Sequence, residues 1–229
     1  TILDYLDNYG HITLTEEPLN GIDALILCQF SYFKFAGQIP DIKDGIEFIS
    51  LGELNATKDD EALFYDKRYR RSNKKLYRRL IKSRRFNDMK LGLYLEETST
   101  EYEMQFAAVT FILGDGTVFI AYRGTDETIV GWKEDFNMGF TYPVPAQTYA
   151  LEYLNVVAKH IDGSLFLGGH SKGGNVALYA TMKCAKSVQD RIQTVYCMDS
   201  PGFHPDILKE LNYDAIRGRI HKIVPVGSL

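Results

Sequence analysis

The chain has 229 residues, 45% apolar and 24% charged, with a net charge of −4; that balance suits a globular protein with a sizeable core and excludes a low-complexity chain. No run approaches the roughly 20 apolar residues of a membrane helix, since the richest, Ile22 to Ala36, is broken by Asp23, Gln29 and Lys34, and no signal-peptide pattern opens the chain. The three cysteines, Cys28, Cys184 and Cys197, lack metal-ligand spacing and read as buried thiols of a reducing compartment, so the expected location is cytoplasmic.

Residues 1–37 read as mostly helical, with cap signals at Asp4 and from Thr13 to Glu17 and a dense apolar face from Asp23 to Phe35. Residues 38–60, punctuated by Pro40, Gly45 and Gly52, read as an irregular connection with one short strand, and residues 61–92 as helical. Within that helical stretch, residues 67–85 hold 11 of the 26 basic residues and no acid, which leaves 15 basic against 30 acidic residues elsewhere. Leu76, Tyr77, Leu80 and Ile81 fall at helical spacing inside this block, with Arg and Lys around them. Such a helix can lie solvated over the acidic remainder, rest on an anionic membrane surface, or cover a site as a lid. Nucleic acid is set aside because no recognition motif accompanies the charge.

The period then changes. Met104 to Leu113 and Thr117 to Arg123 are β-rich runs joined by Gly114-Asp115-Gly116, a hairpin signal. After them the pattern alternates: helix Pro145 to Ile161, strand Leu165 to Gly168, helix Lys172 to Lys186, strand Thr194 to Met198, short helix Asp206 to Leu211, strand Ile220 to Val224. Strands separated by helices imply a mostly parallel sheet with helices on both faces. One α/β domain over residues 1–229 is expected, helical to residue 100 and sheet-forming from 101.

The strand at Leu165 leads into Gly169-His170-Ser171-Lys172-Gly173-Gly174, which contains the Gly-x-Ser-x-Gly pattern of a nucleophile elbow. A serine on a sharp strand-to-helix turn projects its hydroxyl outward, and only glycines beside it let strand and helix approach closely enough. Two phosphate-binding alternatives fail on residues. His170 stands where a dinucleotide fingerprint needs its second glycine, and Gly174 and Asn175 stand where a P-loop needs Lys and Ser/Thr. An elbow serine also needs oxyanion donors. The N–H of Lys172 is one; Thr125, in Tyr122-Arg123-Gly124-Thr125-Asp126 after a β-rich run, offers its N–H and hydroxyl as the second.

These motifs carry a resemblance. Tyr122 to Thr125, Trp132, Asp135 and Gly169 to Gly174 look like the class-three lipase branch of the α/β-hydrolases. Gly124-Thr125-Asp126-Glu127-Thr128, Gly131-Trp132-Lys133-Glu134-Asp135 and Asp199-Ser200-Pro201-Gly202-Phe203 resemble, more closely, an uncharacterised bacterial lipase-like family. The resemblance covers roughly residues 100–225. It implies an α/β-hydrolase fold, Ser171 as nucleophile, and Thr125 with the Lys172 N–H as oxyanion hole.

In that fold an acid and then a histidine follow the serine. His11 and His160 precede it, His170 sits beside Ser171 on a turn that should send its ring away, and His221 falls in a strand. His204 is the internal candidate for the base, but it comes one strand early, so the base is expected beyond Leu229, in a C-terminal continuation. Asp199, at the end of a strand, is the candidate acid, against a carboxylate that caps the Pro201 turn; Asp206 comes second. Trp132 is expected to anchor packing. The expected function is hydrolysis of a small-molecule or lipid ester without cofactor or metal, by a cytoplasmic protein able to touch an anionic membrane through residues 67–85. The competing reading is an inactive pseudo-hydrolase that keeps the pocket for binding.

Overall fold

The β-rich runs assemble in chain order into one seven-stranded sheet, β1 (Phe48–Ser50), β2 (Lys90–Ser99), β3 (Met104–Ile112), β4 (Val118–Tyr122), β5 (Leu165–His170), β6 (Ile192–Met198) and β7 (Ile220–Ile223). These elements belong to a computed structural model that describes residues 1–66, 69–126, 128–211 and 213–227. From β1 to β4 neighbouring strands are antiparallel; from β4 to β7 they are parallel. The expected parallel sheet is thus the C-terminal half; in the N-terminal half β2, β3 and β4 form a meander with short connections, and β1 pairs with β2 across a stretch that holds, among the described residues, three helices.

Helices cover both faces. The α1 (Ile2–Tyr9), α2 (Gly21–Phe30), α3 (Leu51–Thr57), α4 (Asp60–Leu63) and α5 (Arg70–Lys82) helices share one core with Leu91, Val109, Phe111 and Phe119 of the sheet. After α6 (Ile129–Asn137) come α7 (Pro145–His160), α8 (Lys172–Lys183), α9 (Lys186–Gln189) and α10 (Pro205–Glu210), whose apolar residues share the other core with Val118, Ile120, Leu165 and Leu167. The aromatic richness of the chain serves the first core. Phe30 meets Phe33 and Phe35 edge-on with ring centroids 4.7 and 5.1 Å away, and stacks on Phe111 at 5.6 Å. Each such ring buried contributes about 1.5–3 kcal/mol.

Two elements differ from the sequence reading. Residues 90–99 form β2 rather than the end of a helix and an unassigned stretch. Leu91, Leu93 and Leu95 alternate as a strand requires, but the register shifts between Gly92 and Leu95, and Leu93 takes φ 52°, so the pattern is short on either side of the bulge. Residues 129–137 form α6, capped by the Thr128 hydroxyl on the Gly131 N–H.

The basic block becomes α5, except for Lys67 and Arg68, which lie outside the described residues. Its apolar face, Leu76, Tyr77 and Leu80, is buried in the first core. Arg79 forks onto Asp7 at 2.8 and 2.8 Å, Lys74 reaches Asp60 at 3.2 Å, and Arg70 pairs with Glu61. Arg71, Lys75, Arg78 and Lys82 face outward as a stripe. The three cysteines are free and buried. No helix among the described residues is long and apolar enough to cross a membrane.

Candidate active site

Everything at the site follows from how closely β4, β5 and α8 meet. A Cβ on Gly169 would stand 2.2 Å from the Gly173 carbonyl carbon and 2.6 Å from the Tyr122 oxygen, and one on Gly173 would stand 2.2 Å from the same oxygen. Any larger residue at either position would force the helix off the strand. Between them Ser171 holds φ 56° and ψ −129°, a conformation that side-chain-bearing residues rarely adopt. Its N–H donates to the Met198 carbonyl at 2.9 Å, which ties the turn to β6. Lys172 is the first residue of α8, so its N–H has no carbonyl one turn back. Among the described residues, neither that N–H nor the Thr125 N–H has an intramolecular acceptor.

The segment after β4 is held from three sides. The Arg123 N–H donates to the Ala107 carbonyl at 2.9 Å, and the Gly124 N–H donates to the Tyr32 hydroxyl at 3.2 Å. The Arg123 guanidinium is buried against Glu96 at 2.5 Å. The Thr125 hydroxyl lies 2.6 Å from both carboxylate oxygens of Asp135 on α6 and donates to them. That corrects the sequence reading in one respect: the hydroxyl is committed to Asp135, and what Thr125 presents as a donor is its N–H. Lost hydration pushes the Asp135 carboxyl up, while the Thr125 hydrogen bond and the nearby Lys172 charge pull it down.

The Lys172 side chain turns inward. It is 2% exposed, and its Nζ donates to Glu134 Oε2 at 2.7 Å, to the Gln105 carbonyl at 2.6 Å and to Gln105 Oε1 at 3.1 Å.

Ser171 opens into a cleft of about 630 Å³, shared with Asp135, Asp199, Ser200, Lys222 and Val224. Asp199, just past β6 and at φ 44°, lines the cleft as expected of a residue at a parallel strand's C-terminal end. The histidines are elsewhere. His170 diverges from Ser171, and its Nδ1 meets the Tyr32 hydroxyl at 3.1 Å; shielding from water lowers its pKa, against the opposing charge of Asp199. His204 does not join the cleft: it caps α10, its Nδ1 accepting from the Asp206 N–H at 3.4 Å, and the Asp206 carboxylate sits 3.5 Å from that ring. His221 packs edge-on to Tyr196 with centroids 5.5 Å apart. Among the described residues, no histidine lines the Ser171 cleft.

A larger hollow of about 790 Å³ lies against the outer side of α6, lined by Ile129, Trp132, Lys133, Phe136, Asn137 and Glu103. Ser171 does not line it. Trp132 is 69% exposed there and is not the packing anchor its position after the Gly124–Thr125 segment suggests; Ile129, Phe136 and Phe140 are 77%, 71% and 80% exposed beside it. Sequence reasoning also missed Tyr32, Gln105 and Glu134. Ile129, Trp132 and Phe136 recur at helical spacing after a Thr cap, a signal sufficient to find α6. Nothing local marks Tyr32 or Gln105, which reach the site from 92 and 67 residues away in sequence.

The sequence model of a family described as Mbeg1-like matches residues 80–229, more than half of the chain. Among curated proteins none matches. Among solved structures, the crystal structure of M37 lipase aligns with a TM-score of 0.51 at 14% identity, covering 90% of this chain and 67% of that one. At that identity the likeness speaks for the fold, which is the lipase-like α/β-hydrolase fold expected from the sequence.

Proposed function

The chain belongs to the Mbeg1-like family, and from that premise we propose that it is a serine hydrolase cleaving an acyl ester with an apolar acyl part. The observation that carries the reading is the Ser171 turn: a strained serine between glycines that admit no side chain, followed by the Lys172 N–H, which, like that of Thr125, has no intramolecular acceptor among the described residues. Ser171 Oγ attacks the acyl carbonyl carbon as its proton passes to a general base. The oxyanion formed is received by the Thr125 and Lys172 N–H groups, worth about 10²–10³ in rate per donor. Collapse breaks the ester C–O bond and the alcohol leaves with the base's proton; water then attacks the acyl-enzyme by the same route and regenerates Ser171.

In this reading Asp199 is the orienting acid, and the general base is a histidine that none of the described residues supplies at the cleft. The substrate class rests on the exposed Ile129, Trp132, Phe136 and Phe140 beside the cleft, an apolar surface suited to a lipid-like chain. The outward stripe Arg71, Lys75, Arg78 and Lys82 suits an anionic surface, and the cytoplasm remains the proposed location.

One observation favours a second reading, a binding module without turnover: no histidine lines the cleft among the described residues. Labelling with a fluorophosphonate probe decides between them. Ser171-dependent labelling, lost in Ser171→Ala, is the expected result; folded protein that resists the probe would leave the binding module.

A further inference from the structure

We infer that Lys172 is a positioning residue: its buried ammonium, paired with Glu134, fixes α6 against the elbow and so sets the separation of the two oxyanion donors, an inference that rests on the hydrolase reading of Ser171. The elbow itself asks nothing of this side chain, because the backbone N–H donates whatever residue stands there. Burying an ammonium is unfavourable unless it is fully paired, and an apolar side chain of similar size would usually fold as well. The position therefore calls for a reason other than stability.

The reason lies in what the pair joins. All three ammonium protons are used, on Glu134 and on two oxygens of Gln105. Glu134, fully buried, also accepts the Gln105 N–H at 3.0 Å on Oε2 and the Ala146 N–H at 2.9 Å on Oε1. One ion pair thus links the start of β3, the middle of α6, the first turn of α7 and the first residue of α8. The next residue of α6, Asp135, takes the Thr125 hydroxyl. One turn earlier, a Cβ on Gly131 would stand 2.8 Å from Thr125 Cγ2 and 3.2 Å from Gln105 Oε1, so helix and oxyanion segment touch without slack.

Apolar packing does not hold α6. Its buried residues are Gly131 and Glu134, and its large apolar side chains face solvent. If the helix shifts, Thr125 shifts with it, while the Lys172 N–H stays on the elbow. The side chain of one donor residue is what keeps the other donor in place.

The test removes both charges together, Lys172→Met with Glu134→Gln, so that no lone buried charge remains, and reads kcat, KM, fluorophosphonate labelling and amide hydrogen exchange. With p-nitrophenyl butyrate, kcat should fall about 10- to 100-fold, as expected for a displaced oxyanion donor, while KM changes less than about twofold. Exchange should accelerate about tenfold in residues 123–137 and stay unchanged in β5 and β6. Gly131→Ala, which touches no charge and favours the helix, should reproduce the loss of kcat if the double variant fails to fold. A kcat within about twofold of wild type in either folded variant, or unaltered exchange in 123–137, overturns the inference. Wild-type protein without Ser171-dependent turnover would instead end the hydrolase reading, and the exchange data would still decide whether the pair holds α6.

Discussion

Two regions of this molecule each bury an ion pair, and the pairs have different work. In the N-terminal helical section Arg85 forks onto Asp23 at 2.7 and 2.5 Å, with the side chains 1% and 0% exposed. The rest of the guanidinium donates to the carbonyls of Ile12, Thr13, Glu17 and Pro18. Those carbonyls belong to the connection between α1 and α2, where the Thr13 carbonyl also takes the Glu16 and Glu17 N–H groups but the other three have the guanidinium as their donor. The helices on either side are already held by buried Leu6, Ile26, Leu27 and Phe30. At the cleft the Lys172–Glu134 pair is equally buried, but the helix it holds buries almost nothing else. The same interaction reinforces packing in one place and replaces it in the other. Stability should therefore follow the first pair, and the placement of Thr125 the second.

The largest expected effect breaks the first pair alone. Arg85→Met leaves Asp23 buried without its cation and takes the guanidinium from the carbonyls of Ile12, Glu17 and Pro18, so unfolding in denaturant should show a loss of about 3–5 kcal/mol. Ser171 labelling per folded molecule should not change. Labelling that falls while stability holds would mean that the Arg85–Asp23 pair, and not only Tyr32, shapes the cleft.

Acid should act on the cleft side. Burial pushes the Glu96 carboxyl up, but Arg123 and Lys34, at 2.5 and 2.9 Å, hold it down to about 2. A folded pKa below the ordinary value of about 4.3 means that the stabilisation is complete above that pH and is lost as pH falls toward 2; one such shift is worth at most about 3 kcal/mol. Because Arg123 leads directly into Gly124 and Thr125, the slope of stability between those pH values should disappear in Glu96→Gln. An unchanged slope would move the acid sensitivity to another carboxylate.

Asp135→Asn is a smaller step. An amide still accepts from the Thr125 hydroxyl through one oxygen where the carboxylate offers two, so kcat should fall about tenfold, or about 1.4 kcal/mol, with the denaturation midpoint nearly fixed. A matching rise in KM would show that Asp135 serves substrate binding rather than the oxyanion segment.

What could be read from the sequence divides along the same line. The elbow was legible because its constraint is local: Gly169 and Gly173 press on each other and on Tyr122, and neither position admits a side chain. The alternating strands and helices after residue 145 were legible because each carries its own period. Lys172 was legible only as a backbone donor. Its side chain answers Glu134, 38 positions earlier, and Gln105, 67 positions earlier, and no spacing rule couples such positions. Trp132 misled for a related reason. An isolated tryptophan after a glycine suggests packing, yet here Gly131 is the residue pressed inward, against Thr125, and Trp132 next to it points out. β2 escaped because its bulge splits three alternating leucines.

The smallest effect on stability is expected on the outer face of α6, and it separates lipid contact from packing. If the ion pair holds the helix, replacing Trp132 and Phe136, 69% and 71% exposed, by serine removes nothing that anchors it. Stability should stay within about 0.5 kcal/mol, and turnover of a soluble short-chain ester should be unaltered. The same double variant should lose activity on an emulsified long-chain ester, where an apolar face beside the cleft meets the aggregate. Deleting the basic stretch 67–85 cannot make this separation, because it also strips Leu76, Tyr77 and Leu80 from the core and would lower both activities through unfolding. Equal losses on both substrates with Trp132→Ser and Phe136→Ser would show that these rings help to hold α6 in place, and the contrast between the two ion pairs would then weaken at its cleft end.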